Sequence, residues 1–375
     1  MRENNYIAKT LHGLEDVLAE ELKAIKAKNI EKGNRSVFFA GDAKTMYTAN
    51  YRLRTAIRII ESFYKFTFNN IDDFYKNIYN LPWETIVSEN SSIAVDASVF
   101  NSKLFNNSHF TELKAKDAIV DYFRKKTGKR PFVDKENPNL LVNIFVQGNF
   151  CHVSLDTSGI PLYKRSYRLS LHEASLNEVL ASGLILLSEW NKKGCFYDPM
   201  CGSGTIPIEA AMIAHNIPAG YFRKSYGFMN WKFFDRNLWE KIVEENQPKD
   251  IVNDCHIYAS DSAAQSIHFT RKNLAHARLM KKIAIEKISF ENLKPKQETG
   301  ILIFNPPYNK RQPLENAREF YKNIGDILKN NFKNHVAWII SGDKDIIKFI
   351  GLKPSKKITL FNGPLESRFC KYECY

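Results

Sequence analysis

Several kinds of segment are missing from this 375-residue chain. No run reaches the roughly 18–20 consecutive apolar residues of a membrane span. The opening residues, Met1 to Asn5, hold no apolar stretch of the signal-peptide kind. A soluble protein is therefore expected. Cysteine is scarce: Cys151, Cys195, Cys201, Cys255, Cys370 and Cys374 are scattered, with no CxxC pair. That argues against a disulfide scaffold and fits a reducing, cytoplasmic setting. The histidines form no HExxH, and Cys370 and Cys374 lack partner ligands at zinc spacing, so no metal is predicted. Neither GxGxxG nor GxxxxGK[ST] occurs, which argues against dinucleotide and P-loop sites. Internal repeats and low-complexity tracts are absent as well.

What is present is ordinary globular material, 44% hydrophobic and 25% charged, long enough for two or three domains. Lysine and arginine number 54 against 41 aspartates and glutamates, a net charge of +13 carried by both halves. Such a balance favours a polyanionic partner, nucleic acid or an anionic membrane surface. Leu14, Val17, Leu18, Leu22 and Ile25 recur at helical spacing behind Glu15-Asp16. A strand at Ser36–Gly41, a helix near Lys44–Arg54 and a β-rich stretch from Ala56 complete a small α+β unit over 1–65. Residues 66–163 repeat the mixture, with helices near Asp72–Tyr79 and Lys114–Lys126 and strands at Ser92–Val99, Leu140–Gln147 and Phe150–Asp156. The run Arg124-Lys125-Lys126-Thr127-Gly128-Lys129-Arg130 is either a solvated helix end or an RNA phosphate contact. Asp156–Pro161 reads as a boundary turn.

From about residue 164 strands and helices alternate, the grammar of a mostly parallel sheet covered on both faces. Strands are expected at Cys195–Asp198, His256–Asp261, Ile283–Ser289, Ile301–Asn305, His335–Gly342, Lys356–Phe361 and Arg368–Cys374, the last two as a hairpin around Asn362-Gly363-Pro364.

Three segments in this half carry chemistry. Asp198-Pro199-Met200-Cys201-Gly202-Ser203-Gly204-Thr205 links a strand to a helix, and its close glycines let backbone approach a ligand beside free helix N–H groups. Ile257–Asp261 ends the next strand on a carboxylate, where nucleotide-type sites hold ribose hydroxyls. The stretch Asn216–Asp254 between them is an insertion whose Tyr221, Phe222, Arg223, Lys224, Tyr226, Trp231 and Lys232 either flank a substrate or pack on one another. Ile301–Phe304 runs into Asn305-Pro306-Pro307-Tyr308. An exocyclic base amine is a poor nucleophile, and the Asn305 side-chain oxygen and the Pro306 carbonyl are two acceptors able to hold its hydrogens as the lone pair localises. Tyr308 can stack on a flipped base; as a plain alternative, Pro306-Pro307-Tyr308 is a rigid turn. The tetrapeptide holds no cysteine, which disfavours covalent pyrimidine chemistry, and Cys201 reads as a packed thiol. His172-Glu173 either caps the helix Ser175–Leu187 or shapes the cofactor pocket.

Taken together, Asp198–Thr205 followed by Asn305–Tyr308 resembles the Rossmann-type, S-adenosylmethionine-dependent amino methyltransferases. Leu11–Glu15, Pro82-Trp83, Lys116–Asp121 and Ser154–Gly159 resemble a ferredoxin-like segment plus a THUMP domain, an RNA-binding module. Lys164-Arg165-Ser166-Tyr167-Arg168 and Asn362–Arg368 are similar to the THUMP-containing large-subunit ribosomal RNA guanine-N2 methyltransferases. The resemblance implies an α/β fold, a seven-stranded class I methyltransferase domain over 164–375 behind a ferredoxin-like segment (1–65) and a THUMP domain (66–163). It implies S-adenosylmethionine as cofactor and in-line methyl transfer to N2 of a guanine. The RNA partner would be ribosomal, with transfer RNA as alternative, held by the THUMP region and Arg124–Arg130. Asp198, Gly202 and Gly204 would shape the methionine pocket with Pro199, Cys201, Ser203 and Thr205 beside them. Asp261 would hold the ribose, and Asn305, Pro306, Pro307 and Tyr308 would present the amine. Relatives end the third strand on an acid near adenine; here Ser289 stands there, with Glu291 two positions later or backbone groups as substitutes. Asn309-Lys310-Arg311 replaces the more usual glycine-acid pair. An adenine-N6 DNA methyltransferase and a non-catalytic RNA-binding assembly factor are the remaining rival readings.

Overall fold

The computed structural model describes residues 3–169, 175–248, 254–308 and 316–375. The first part folds as β1 (Asn4–Lys9), α1 (Glu15–Ala24), β2 (Lys28–Gly33), β3 (Ser36–Gly41), α2 (Ala43–Arg52), β4 (Arg58–Thr67), α3 (Ile71–Tyr79), β5 (Ser92–Phe100), α4 (Ser108–Thr127), β6 (Phe132–Val133), β7 (Leu140–Gln147) and β8 (Phe150–Asp156). All eight strands join one sheet in the order β2-β3-β1-β4-β8-β7-β5-β6. The long strand β4 is the seam: Ile7 faces Ile60 on one side and Cys151 faces Phe66 on the other. Helix α4 starts earlier than its apolar periodicity suggests, because Asn107 caps the His109 amide (2.7 Å), and it ends on Gly128 in the left-handed conformation. Of the basic run at this end, Arg124, Lys126 and Lys129 pair with Asp121, Glu84 and Glu89.

The second part comprises α5 (Glu178–Leu187), β9 (Gly194–Asp198), α6 (Thr205–Ala214), α7 (Arg236–Glu245), β10 (Cys255–Asp261), α8 (Ala264–His276), β11 (Ile283–Lys287), β12 (Gly300–Phe304), α9 (Ala317–Asn331), β13 (His335–Ser341), β14 (Lys356–Asn362) and β15 (Leu365–Glu373). Its sheet runs β11-β10-β9-β12-β13-β15-β14, parallel through β13, with β15 antiparallel to both neighbours. This is the seven-stranded class I methyltransferase arrangement. The central strands are continuous apolar runs because both faces are covered. Phe196, Ile301 and Ile303 pack under α5, α6 and α8, while Cys195, Tyr197, Leu302 and Phe304 pack under α9. Strand order reverses between β9 and β12, so their carboxyl ends open a crevice, the place where ligands bind in such sheets. Among the described residues no helix is long and apolar enough to cross a membrane.

The two parts are joined over a broad front. Leu14, just ahead of α1, is fully buried in the second part's core, and His12 meets the Phe361 ring edge-on at 5.4 Å. The insertion after α6 packs back onto the first part. Tyr226, Phe228, Trp231 and Ile242 enter the N-terminal core, with Phe228 stacked on Tyr47 at 4.5 Å. Arg223 binds the boundary turn: Nη1 donates to the carbonyls of Pro161 (2.9 Å) and Lys164 (3.0 Å), Nη2 to those of Ile160 (2.8 Å) and Ser158 (3.2 Å). These aromatics and cations therefore buttress the joint, and none lines the crevice. Arg223→Ala removes several charge-assisted hydrogen bonds and is expected to lower stability by about 3 kcal/mol. The check is a denaturant melt combined with limited trypsin digestion, which should newly cut at Lys164 and Arg165.

Candidate active site

A cavity of about 580 Å³ occupies the crevice, walled by the turns that follow β9, β10, β11 and β12. The turn after β9 is built on glycine. Gly204 precedes α6 at φ +84°, and a Cβ there would stand 2.9 Å from Thr270 Cγ2, so no larger residue fits. Gly202 (φ +56°) has open space where a side chain would be, leaving its backbone bare to the cavity. Pro207 sits in the first turn of α6, where its missing N–H removes no helical bond.

The loop is held from the neighbouring strand and helix. The Gly202 amide donates to Asp261 Oδ2 (2.9 Å), and Asp261 Oδ1 accepts from the Ala263 amide (2.9 Å). Thr270 Oγ1 donates to the Gly202 carbonyl (2.9 Å) and lies 3.7 Å from Cys201 Sγ. Burial pushes the Cys201 thiol far up, so it is a packed neutral group, as its surroundings in the sequence suggest. Ser203 Oγ meets Ser175 Oγ at 2.9 Å, and Thr205 Oγ1 accepts from Arg168 Nη2 at 2.6 Å.

Asp198 is the electrostatic anomaly of the site. It is 1% exposed and, among the described residues, receives one hydrogen bond, from the Met200 amide (3.3 Å). Burial drives its carboxyl well above the usual carboxylate range, the Met200 amide opposes this, and the Asp261 charge adds to it. A carboxylate desolvated in this way is a ready seat for a cationic ligand group.

Across the cavity, β12 delivers Asn305 at its carboxyl end. The Asn305 Oδ1 is buried with no hydrogen-bond partner among the described residues, while the residue lines the cavity. Tyr321 on α9 donates to the Pro307 carbonyl (3.3 Å) and so steadies the turn. Tyr308 is 2% exposed and lies against Gly342, where a Cβ would come within 2.9 Å of Tyr308 Cε2.

Asp198, Pro199, Cys201, Gly202, Ser203, Thr205, Asp261, Ser289 and Asn305 to Tyr308 thus all border one cavity. Gly204 does not; it stands behind the loop against Thr270. Ser289 and Glu291 both reach the wall, on either side of the buried Phe290. His172, Glu173 and Asn309-Lys310-Arg311 lie outside the described residues. Sequence reasoning missed Ser175 and Leu176, the start of α8 (Ser262, Ala263, Ser266) and the Phe320-Asn323-Ile327 face of α9. Only the last had a signal, an asparagine interrupting an apolar face at helical spacing.

The pocket fits S-adenosylmethionine: an uncompensated buried carboxylate for a cation, a second carboxylate at a strand end for a diol, bare glycine backbone between them, and apolar Phe290 and Ile206 beside them. Asp198 yields a test of its own. With no cation present, its raised carboxyl leaves stability unaffected below the unfolded value near ~3.9 and erodes it as pH rises toward the folded value. Asp198→Asn should therefore melt with the wild type near pH 4 and roughly 2–4 °C higher at pH 8, measured without ligand by calorimetry.

Comparison with known proteins identifies the parts of the chain. Residues 165–371 match the RMKL-like methyltransferase domain family, residues 68–156 the THUMP domain, and residues 5–60 the RlmL ferredoxin-like domain. A candidate RNA methyltransferase of Synechocystis is 34% identical over 99% of this chain and 97% of its own. The ribosomal RNA large subunit methyltransferase K/L of Syntrophotalea carbinolica is 31% identical over 98% of this chain and 53% of its own, so the chain spans about half that protein's length. A candidate methyltransferase crystallised with S-adenosylhomocysteine superposes with a TM-score of 0.88 at 27% identity, over 100% of this chain and 99% of the other. On fold, site and likeness together, the chain belongs to the RMKL-like family of S-adenosylmethionine-dependent methyltransferases, with a ferredoxin-like segment and a THUMP domain ahead of the class I domain.

Proposed function

We propose that this chain methylates the exocyclic N2 of a guanine in large-subunit ribosomal RNA. One observation carries the choice of an amine: the Asn305 Oδ1, buried on the cavity wall with no partner among the described residues. Buried acceptors are normally satisfied, so one left open at a ligand cavity awaits a donor. An amine hydrogen meets that need, and the Pro306 carbonyl, followed by a residue with no N–H, is the second acceptor. Tyr308, held against Gly342, offers its ring to the flipped base. Support for a ribosomal target comes from the K/L relatives, while the net charge of +13 favours a nucleic-acid partner of any kind.

In this reading Asp198 and the Gly202–Thr205 loop hold the methionine end of the cofactor, Asp261 its ribose, and Ser289 or Glu291, beside Phe290, its adenine. S-adenosylmethionine, when bound, supplies a methyl group on a sulfonium. The protein's own residues then position the base and exclude water. Asn305 and Pro306 pull on the amine hydrogens, which turns the nitrogen lone pair out of conjugation, and no strong base is needed because the methylated nitrogen loses its proton readily. Residues 1–163, with Lys125 and Arg130 in the basic run at the end of α4, grasp the RNA.

The deciding experiment incubates protein and labelled S-adenosylmethionine with unmodified ribosomal RNA, transfer RNA and duplex DNA separately, and identifies methylated nucleosides by mass spectrometry. N2-methylguanosine in ribosomal RNA is expected. The same product in transfer RNA alone would change the substrate, methyladenine in DNA would overturn the base, and no product from a protein that binds RNA but not cofactor would mark an assembly factor. Asn305→Ala should lower turnover about 10²–10³-fold while RNA binding stays within twofold; equal loss of both would overturn its role.

A further inference from the structure

The segment between the two parts does more than span them. Downstream of the Arg223 clamp, Arg165 is 1% exposed and donates to the carbonyls of Leu162 (2.8 Å) and Arg54. Tyr167 donates to Glu209 Oε1 (2.9 Å) in the middle of α6. Arg168 donates through Nη2 to Thr205 Oγ1 (2.6 Å) and the Leu176 carbonyl (3.0 Å), and its Nε lies 3.3 Å from Glu178. The Leu169 amide donates to Asn273 Oδ1 (2.9 Å).

Asn273 is fully buried on α8 and faces two ways. Its oxygen takes the strap's Leu169 amide, and its Nδ2 donates to the Ser203 carbonyl in the cofactor loop (2.9 Å). One turn earlier, Thr270 holds the Gly202 carbonyl in the same manner. The carbonyls of both residues that precede left-handed Gly204 are thus pinned from behind the loop, by groups that do not line the cavity. The amide offers its acceptor and its donor on two separate atoms, so leucine supplies neither bond and aspartate only the strap side.

We propose that Asn273 and Arg168 are positioning residues that wire the interdomain strap to the cofactor loop, so that cofactor affinity depends on how residues 165–169 are held. The proposal rests on the reading of the cavity as the S-adenosylmethionine pocket. It explains why Arg165, Tyr167, Arg168 and the Leu169 amide turn inward to α6, α8 and the loop, when a plain tether would leave them in water.

Calorimetry with S-adenosylhomocysteine on the full chain tests it, each variant held well below its melting temperature. Asn273→Leu and Asn273→Asp are both expected to raise Kd about tenfold, while KM for ribosomal RNA in the methylation assay stays within twofold. Arg168→Ala should also weaken binding, and Arg168→Lys, which keeps one donor within reach of Thr205, should recover part of the loss. Because both residues restrain one loop, the Asn273→Leu/Arg168→Ala double variant should lose less than the product of the single losses. A folded Asn273→Leu that binds within twofold of wild type, or an Arg168→Lys no better than Arg168→Ala, overturns the proposal. Wild-type protein that takes up no S-adenosylhomocysteine overturns the pocket reading beneath it.

Discussion

The 2.9 Å hydrogen bond from the Gly202 amide to the Asp261 carboxylate ties the ends of two adjacent parallel strands across the mouth of the sheet. The turn after β9 must be tight enough to feed α6, which is buried along its whole length, yet open enough to leave backbone facing the cavity. A carboxylate from β10 reconciles these demands by holding the loop at one amide. It also brings its own charge near Asp198, and that repulsion, added to burial, keeps Asp198 in search of a cation. Structure and chemistry share one interaction here: what shapes the loop also sets its electrostatics.

Around that bond the molecule is organised by buried and half-buried arginines. Arg54 donates to the Ile217 and Met212 carbonyls beyond the middle of α6, and desolvation lowers its pKa to about 10. Arg165 and Arg223 hold the carbonyls of the strap and the boundary turn. Each guanidinium is costly to desolvate, and each recovers part of that through several backbone acceptors in a geometry only its planar fork can meet. The outcome is a joint with defined geometry. Under the function proposed above, a site that must reach a base held by a separate RNA-grasping part needs such a joint, since a misplacement of an ångström erodes the alignment on which transfer depends.

Legibility in the sequence followed burial pattern. Phe150–Asp156 was readable because Cys151, Val153 and Leu155 alternate with polar residues, and Leu140–Gln147 and Ile301–Phe304 because they are short apolar runs rich in β-formers. Strands β1 and β2 escaped: Asn4–Lys9 offers only Tyr6 and Ala8 to the core, and Lys28–Gly33 is an edge strand with no buried residue. The aromatics of the insertion had no readable address, since nothing local in Tyr226, Phe228 or Trp231 says that they complete the core of the other part.

The order of chemistry along the chain was dictated locally. Asp198, the paired glycines, Asp261 and Asn305–Tyr308 each stand at the end of an apolar strand, and strand-then-turn is a short-range property that side-chain spacing records. Assembly was decided by the fold. Ser175, Phe290, the start of α8 and one face of α9 reach the cavity only because strand order reverses between β9 and β12, and Asn273 meets both strap and loop only because α8 packs behind that turn. Contacts between segments far apart in the chain depend on how buried surfaces pair across the whole molecule, and no local stretch of sequence carries that pairing.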